Sequence, residues 1–241
     1  MLSIIIPVYN EEKTLRKLLL KVNKIKLNKE IIIVNDGSTD KSRLILKENF
    51  KLYDRLIDYR ENRGKGYACR IGIKHASGDL TIIQDADLEY NPNNYFNLIR
   101  KFEQNSSIEV VYGSRVLSGG KNIKPPGIRH YFSKFANFAL TKFSNILNGQ
   151  KLTDAHTCYK MVRTKILKKL DLKENGFAYC PEVTAKLSKL GLKIYEVPID
   201  YHGRNHNEGK KIKTFHALEA IIALIKFNYP YRGYKKNWLR G

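Results

Sequence analysis

Long apolar stretches, paired cysteines and a leader-like start are all missing from this sequence. The longest unbroken apolar run covers only Ala220 to Ile225, whereas a helix needs roughly 20 apolar residues to cross a bilayer. The chain enters a strand-like run at once, without the basic and apolar regions of a signal peptide. Its three cysteines, Cys69, Cys158 and Cys180, are isolated and odd in number. We therefore expect a cytoplasmic protein without a membrane span, a disulfide framework or a thiolate zinc site.

Negative charge is also scarce. The 241 residues include 23 Asp and Glu against 44 Lys and Arg, which gives a formal net charge of +21. Such a surplus attracts nucleic acid, acidic lipid headgroups or phosphorylated substrates, although a lysine-rich genome produces the same bias. Because 42% of the residues are apolar, the chain can bury a sizeable core, which excludes intrinsic disorder.

Strand-like and helical patterns alternate through the first half of the chain. β-Branched runs without polar alternation are typical of strands that are covered on both faces. The alternation predicts an α/β fold with a mostly parallel, doubly wound sheet flanked by helices, and ligands bind such sheets beyond the carboxyl ends of the strands. The predicted strands are Leu2–Val8, Glu30–Asn35, Tyr53–Tyr59, Asp79–Gln84 and Ile108–Tyr112, and the predicted helices are Glu11–Ile25, Asp40–Asn49, Gly66–Ala76 and Asn93–Gln104.

Two aspartates follow the fourth predicted strand. Asp85 and Asp87 lie neither in a helix nor directly before one, and two carboxylates this close repel each other unless a cation lies between them. Oxygen ligands suit Mg²⁺ or Mn²⁺, and a metal ion with open coordination positions can hold a diphosphate. The pair therefore predicts a divalent metal site at this strand end.

The second half of the chain has a different pattern. Ser118–Gly127 is rich in Gly and Pro and predicts a loop. Tyr131–Leu147 predicts a helix rich in phenylalanine, and Lys213–Phe227 predicts another, which a basic aromatic tail follows. Such apolar stripes pack into a core or rest among lipid headgroups, and the tail is either a solvated surface or an interfacial segment. We expect C-terminal amphipathic or interfacial helices that bind an anionic membrane surface.

Several motifs resemble a known family when they are taken together. SIIIPVYNEEKTL, IIIVNDGSTD, NRGKGYACRIGIKHASGD and IIQDADLEYNP resemble the nucleotide-sugar domain of inverting family 2 glycosyltransferases, which have the GT-A fold. VVYGSRVL, LTDAHTCYKMVR, GFAYCPEVTAKLSKLGLKIYEVPIDYHGR and EGKKI resemble the dolichyl-phosphate mannose synthase-like branch. The resemblance implies a GT-A domain over residues 1–212, with a nucleotide-sugar-binding half at 1–113 and an acceptor-binding half at 114–212. The C-terminal helix and tail then occupy 213–241.

The resemblance implies a nucleoside pocket at the first two strand ends. Pro7, Tyr9 and Glu11 match residues that line this pocket in the family, and Asp36 matches the acid that reads the base or ribose. Lys65 lies between two glycines in a loop that opens a helix, where backbone amides and a cation can approach phosphate.

The resemblance also assigns the metal and the leaving group. Asp85 and Asp87 match the metal-binding acids of the family, and Glu89 occupies the position of a further metal ligand. Arg204 matches an arginine that reaches the diphosphate. These residues imply catalysis by neutralising the leaving nucleoside diphosphate with Mg²⁺ or Mn²⁺ and a guanidinium.

For the acceptor, the resemblance leaves two chemistries open. Arg115 and Arg129 resemble arginines that hold a lipid phosphate, which needs no general base. A hydroxyl acceptor such as diacylglycerol would need one, for which Asp154 and Glu182 are the candidates. Glu182 is otherwise an acid in the first turn of a helix, and His156 either contacts the acceptor or packs internally.

Together these features predict a metal-dependent inverting glycosyltransferase. It would move a hexose or hexuronic acid from a nucleotide sugar, more readily UDP- than GDP-linked, to polyprenyl phosphate or diacylglycerol at the cytoplasmic face of the membrane. An alternative is a glycosyltransferase with a soluble saccharide or protein acceptor. The remote alternative is a basic nucleic-acid-binding protein, but acids at the strand ends would repel nucleic acid and no nucleic-acid-binding motif is present.

Overall fold

The computed structural model describes residues 1–118, 128–204 and 215–228, with the side chains of 1–118, 135–204 and 218–228. Within these residues one sheet contains the strands β1 (Leu2–Val8), β2 (Lys29–Asp36), β3 (Arg55–Tyr59), β4 (Leu80–Ile83), β5 (Val110–Ser114), β6 (Lys160–Arg163) and β7 (Tyr195–Pro198). The helices are α1 (Leu15–Lys24), α2 (Ser42–Glu48), α3 (Lys65–His75), α4 (Tyr95–Gln104), α5 (Ile128–Asn148), α6 (Thr164–Lys169), α7 (Tyr179–Lys189) and α8 (Phe215–Asn228), with 3₁₀ turns at Phe50–Leu52 and Pro92–Asn94.

The sheet is mixed but mostly parallel, in the order β3-β2-β1-β4-β6-β5-β7. β1 pairs in parallel with β2 and β4, and β2 pairs in parallel with β3. β6 runs antiparallel between β4 and β5, and β7 lies parallel to β5 at the edge. The predicted α/β class with a mostly parallel sheet is confirmed. The carboxyl ends of β1, β2 and β4 consequently open on the same edge, where the polar clusters of the sequence follow.

The apolar run of β1 is explained by helices on both faces of the sheet. Ile4 and Ile6 pack in one buried cluster with residues of α1, while Ile5 packs in the opposite cluster with Ile73 of α3. All three isoleucines of β1 are fully buried, and burial of each such side chain is worth about 1.5–3 kcal/mol. This packing fixes the strand end from which Glu11 projects.

The second half contains elements that the sequence patterns did not predict. β6 and β7 are only four residues long, and α6 and α7 were also missed. The sheet continues past residue 113, because β6 and β7 pair with strands of the first half. The helices predicted at Tyr131–Leu147 and Lys213–Phe227 correspond to α5 and α8.

Part of the predicted C-terminal architecture lies outside the described residues. This applies to the loop Ser118–Gly127 beyond its first residue, to residues 205–214, which include the EGKKI motif, and to the basic aromatic tail. Of the helices that are described, none combines the length and the apolar character that a membrane span needs.

Candidate functional site

An arginine joins three carboxylates at the strand ends. Glu11 follows β1, and Asp87 and Glu89 follow β4. The Arg204 guanidinium reaches Glu11 Oε2 at 3.2 Å, Asp87 Oδ2 at 3.0 Å and Glu89 Oε1 at 3.6 Å. The backbone N–H of Arg204 also donates to Glu89 Oε1 at 2.8 Å. The structure therefore brings four of the predicted donor-side residues into one cluster, although they come from distant parts of the chain.

Asp85 has a different partner. Its Oδ1 lies 2.6 Å from Lys65 Nζ. Burial by itself raises the pKa of Asp85, but the Lys65 ammonium and the Cys158 side chain hold it below its usual value. Burial, together with repulsion from Asp85 and Glu89, raises the pKa of Asp87 to about 7. Three carboxylates share the one guanidinium of Arg204, so the negative charge of Asp87 is only partly neutralised.

The predicted metal ligands are not assembled as a single set. Among the described residues, no group of three or more His, Cys, Asp or Glu side chains is arranged to hold a metal ion. Lys65 holds Asp85, whereas Arg204 holds Asp87 and Glu89, so a metal site shared by the three acids stays a prediction. The donors themselves fit a hard divalent cation, since carboxylate oxygens are its preferred ligands and a cation would relieve the repulsion that disfavours the charged form of Asp87.

Asp36 organises the turn after β3. It is almost fully buried and accepts hydrogen bonds from the backbone N–H groups of Arg63 at 3.0 Å and Gly64 at 2.8 Å. Burial outweighs these bonds and raises the pKa of Asp36. Pro7 lies within β1, and the Tyr9 ring just beyond it is exposed. These three predicted nucleoside-pocket residues thus lie at adjacent strand ends.

An arginine that sequence reasoning missed lies at the same place. The Arg63 guanidinium stacks over the rings of Tyr59 and Tyr67, 5.2 Å from each centroid, and Nη1 donates to the Tyr67 hydroxyl at 2.9 Å. In sequence Arg63 resembles an ordinary surface residue. Its position in the loop after β3, directly before Gly64, is the signal that could have identified it.

The glycines around Lys65 have a packing role that was not predicted. Gly64 has φ +102°, and a Cβ at Gly64 or Gly66 would overlap the backbone of residues 174–176. The Tyr67 N–H at the start of α3 donates to the Asn175 carbonyl at 3.1 Å. At least two amides of this turn therefore bind protein rather than the phosphate that was expected there, while the Lys65 side chain is directed to Asp85.

On the acceptor side, Arg115 and Asp154 form a two-pronged ion pair. Arg115 Nε lies 2.6 Å from Asp154 Oδ2, and Nη2 lies 2.8 Å from Oδ1. Asp154 is fully buried, and the guanidinium lies over the Tyr201 ring at 5.0 Å. Burial opposes ionisation of Asp154, but Arg115 prevails and lowers the pKa to about 2. A carboxylate held this way is a poor general base, which corrects that expectation.

Glu182 does not join the site. It is fully buried in the first turn of α7, where it pairs with Lys186 at 2.7 Å and accepts from the N–H groups of Lys173 and Glu174 at 2.8 Å each. This carboxylate anchors the segment before α7. Its candidacy as a general base is therefore corrected in favour of the alternative first-turn role.

His156 packs below α5. Burial, with a contribution from Lys160, lowers the pKa of His156 to about 4, so its ring is neutral at pH 7. Its Nε2 is buried without a hydrogen-bond partner among the described atoms. Asn137 of α5 bridges to this region, with contacts of 3.5 Å to Arg115 and 3.4 Å to Asp154. The side chain of Arg129, at the start of α5, lies outside the described residues.

Comparisons with known proteins show which sequences this chain is similar to. The model of the family described as Glycosyl transferase family 2 matches residues 3–171. A dolichyl-phosphate beta-glucosyltransferase of Trichomonas vaginalis is 28% identical over 95% of the chain and 73% of its own length. A dolichol-phosphate mannosyltransferase of Pyrococcus furiosus is 32% identical over 93% of the chain and 64% of its own length.

Solved structures show the same fold. Glucosyl-3-phosphoglycerate synthase of Mycobacterium tuberculosis, crystallised with Mn²⁺, uridine diphosphate and phosphoglyceric acid, superposes with a TM-score of 0.70 at 17% identity over 95% of this chain and 78% of that one. TarS of S. aureus in complex with UDP-GlcNAc superposes with a TM-score of 0.63 at 19% identity, over 94% of this chain and 66% of that one.

Proposed function

The chain belongs to glycosyl transferase family 2, and on that premise we propose that it transfers a hexose or hexuronic acid, with inversion, from a UDP-sugar to a polyprenyl phosphate at the cytoplasmic face of a membrane. The names of the dolichyl-phosphate sugar transferases to which it is similar support the lipid phosphate. The neighbour crystallised with Mn²⁺ and uridine diphosphate supports the donor and a divalent metal.

The donor end has to stabilise a leaving nucleoside diphosphate. Mg²⁺ or Mn²⁺ held by Asp87, with Asp85 and Glu89, would supply Lewis-acid stabilisation of that charge. Arg204 and Lys65 bring two further positive charges to the same strand ends. Cations that are fixed in place before the reaction stabilise developing charge without reorganisation, which is the largest catalytic term in many enzymes.

The residues at the acceptor end bear on whether the acceptor group is a phosphate or a hydroxyl. Both candidate bases are already engaged, because Asp154 is bound to Arg115 and Glu182 to Lys186. A hydroxyl acceptor needs a carboxylate or imidazole that can take up its proton, whereas a phosphate is anionic at neutral pH and needs only a cation to position it. Arg115, whose side chain is partly exposed, is that cation. The occupied bases are the observation that favours polyprenyl phosphate over diacylglycerol.

A membrane-facing surface is proposed on α5 and α8. Phe135 is 71% exposed, Phe138 58% and Ile146 79% on α5, and Leu218 is 60% exposed on the neighbouring α8. The opposite side of α5 bonds to the acceptor side through Asn137. An apolar helix face on a chain of net charge +21 suits a peripheral position among anionic headgroups, and it would bring a lipid phosphate towards Arg115.

The test is release of nucleoside diphosphate from UDP- and GDP-sugars with Mg²⁺ or Mn²⁺, using vesicles that contain polyprenyl phosphate or diacylglycerol. We expect a sugar–phosphate lipid product from a UDP-sugar with polyprenyl phosphate. Product from diacylglycerol alone would overturn the acceptor assignment, and product from a soluble saccharide or protein without vesicles would favour the soluble-acceptor alternative. Absence of turnover with every donor and acceptor would contradict the proposed function.

A further inference from the structure

Tyr201 lies between the two ends of the candidate site. Its hydroxyl donates to Glu89 Oε2 at 2.7 Å, and the Arg115 guanidinium lies over its ring, 5.0 Å from the centroid. Glu89 is one of the acids proposed at the donor end, and Arg115 is the cation proposed at the acceptor end. Tyr201 therefore contacts one charged residue of each end, although the proposed transfer reaction gives it no role of its own.

The backbone and the ring of Tyr201 are both held in place. Tyr201 pairs with Tyr90 in an isolated antiparallel bridge, and the two rings meet edge to face with their centroids 5.1 Å apart. The backbone N–H of the next residue, His202, donates to the Glu89 carbonyl at 2.8 Å. Because these contacts fix the position of the side chain, its hydroxyl and its aromatic face have defined directions.

The two contacts of Tyr201 differ in their chemistry. A tyrosine hydroxyl keeps its proton at neutral pH, so it donates to the carboxylate of Glu89. The backbone N–H of Arg204 holds the other oxygen of that carboxylate at 2.8 Å, and the orientation of Glu89 is thereby fixed. The ring attracts the Arg115 guanidinium through its electron-rich face, which a phenyl ring also provides and an aliphatic side chain does not. The two contacts can therefore be removed one at a time.

We propose that Tyr201 is a positioning residue for both substrates: its hydroxyl orients Glu89 at the nucleotide-sugar end, and its ring holds the Arg115 guanidinium in place for the acceptor phosphate. This inference rests on the proposed function, which assigns Glu89 and Arg115 to those two ends. Asp154 binds two nitrogens of the guanidinium, and the ring of Tyr201 is a second constraint on it. A guanidinium that is fixed before the anion arrives loses less conformational entropy on binding.

Calorimetric titration of the full chain tests the two roles without relying on turnover. The probes are UDP in the presence of Mn²⁺ and, separately, farnesyl phosphate as a soluble lipid phosphate. Tyr201→Phe should weaken binding of UDP with Mn²⁺ about tenfold, the scale of a hydrogen bond to a charged group, and leave that of farnesyl phosphate within about twofold. Tyr201→Leu and Tyr201→Met also lose the ring, so they should weaken farnesyl phosphate binding about fivefold as well.

Tyr95→Phe is the matched control. It removes a buried hydroxyl that donates to Gln84, and Gln84 keeps the hydrogen bond from the Tyr159 hydroxyl. The control therefore has the same chemical change as Tyr201→Phe at a tyrosine whose hydroxyl bonds to a neutral amide. Binding of both probes should be unchanged in this variant.

A double-mutant cycle distinguishes positioning from general packing. Because the hydroxyl acts through Glu89, the loss that Tyr201→Phe causes should shrink to about twofold or less in a Glu89→Gln background. With the substrates of the proposed reaction, Tyr201→Phe should raise KM for the UDP-sugar and leave KM for polyprenyl phosphate unchanged. Tyr201→Leu should raise both KM values.

The outcomes separate this inference from the proposed function. If Tyr201→Phe binds UDP with Mn²⁺ as the parent chain does, or if its loss persists in the Glu89→Gln background, the role of the hydroxyl is wrong. If the Leu and Met variants bind farnesyl phosphate as Tyr201→Phe does, the role of the ring is wrong. Equal losses for both probes in all three variants would make Tyr201 a packing residue, and a parent chain that binds neither probe would contradict both hypotheses. If the binding pattern holds and no donor or acceptor ever gives turnover, the proposed function fails while the positioning role stands.

Discussion

The two ends of the candidate active site differ in how their charges are balanced. At the donor end Glu11, Asp87 and Glu89 share the guanidinium of Arg204. At the acceptor end, the Arg115 guanidinium pairs with a single carboxylate among the described residues, that of Asp154. The pKa values move accordingly: burial and neighbouring carboxylates raise that of Asp87 to about 7, while Arg115 overcomes the effect of burial and lowers that of Asp154 to about 2.

This difference indicates what each end is built to bind. Crowded carboxylates with too little positive charge favour an incoming cation, because it relieves their mutual repulsion. Asp154 engages Nε and Nη2 of Arg115, and the remaining N–H donors of this partly exposed guanidinium can bind an anion. If the proposed function holds, the same residue types serve a metal–diphosphate complex at one end and a phosphate at the other.

Removal of a donor-end carboxylate should have the largest effect. We expect Asp87→Asn to lower kcat by about 1,000-fold, the scale seen when a charge-stabilising group is lost from an active site, with an unchanged circular dichroism spectrum. Asp171→Asn is the matched control, because that carboxylate is exposed and pairs with Lys173 at 3.5 Å. Equal activity of the two variants would remove Asp87 from catalysis.

At the acceptor end, replacing Arg115 by lysine keeps the positive charge but removes the two-pronged bond to Asp154. This change should affect binding of the acceptor and not of the donor. Arg115→Lys should raise KM for polyprenyl phosphate by about 10–100-fold, since a lysine lacks the planar fork of arginine, and leave KM for the nucleotide sugar within about twofold. The control is Arg163→Ala, which removes the partly exposed ion pair between Arg163 and Glu109. A rise in the donor KM instead would place Arg115 at the other end of the site.

The exposed apolar face of α5 can be tested for a specific role in membrane binding by comparing it with exposed apolar residues elsewhere on the surface. Phe135→Ser combined with Phe138→Ser should reduce vesicle binding by about tenfold, because each phenylalanine loses part of the roughly 1.5–3 kcal/mol of full burial. Leu44→Ser with Phe50→Ser removes side chains of comparable exposure from the region of α2 and should change nothing. Co-sedimentation with anionic vesicles at two salt concentrations measures both pairs, and equal losses would contradict a specific face.

The sequence predicted the donor end better than the acceptor end, for a physical reason. β1 was predicted from Leu2 to Val8, as observed, because a strand covered on both faces leaves a local apolar run. Asp87 was singled out because it follows a strand of a predicted parallel sheet, whereas Glu11 was named through the family resemblance, and the structure places both at one edge of the sheet. Such features are readable from neighbouring residues alone.

The roles of Asp154 and Glu182 were not readable in this way. Whether a carboxylate acts as a base depends on its burial and on its partner, and the Arg115 that neutralises Asp154 lies 39 residues away. Likewise, the glycines beside Lys65 were predicted to approach phosphate, but residues 174–176 lie against them because of non-local packing. β6 begins with Lys160, a charged residue that is buried in the structure. A buried lysine is not expected from sequence, so this short strand was not predicted.

The smallest effect expected is on acid stability at the acceptor end. His156 has a folded-state pKa of about 4 against an ordinary 6.5, because burial and Lys160 disfavour its charged form. Its contribution to stability is thus fully present above pH 6.5 and is lost as the pH falls towards 4. Between pH 7 and pH 5.5 the free energy of unfolding should fall by about 1 kcal/mol less in His156→Gln than in the parent chain. Urea titrations across this range measure the difference, and His75→Gln, at an exposed histidine, is the control. If the free energy of unfolding depends on pH in the same way in all three proteins, His156 is not the neutral buried group that distinguishes this end of the site.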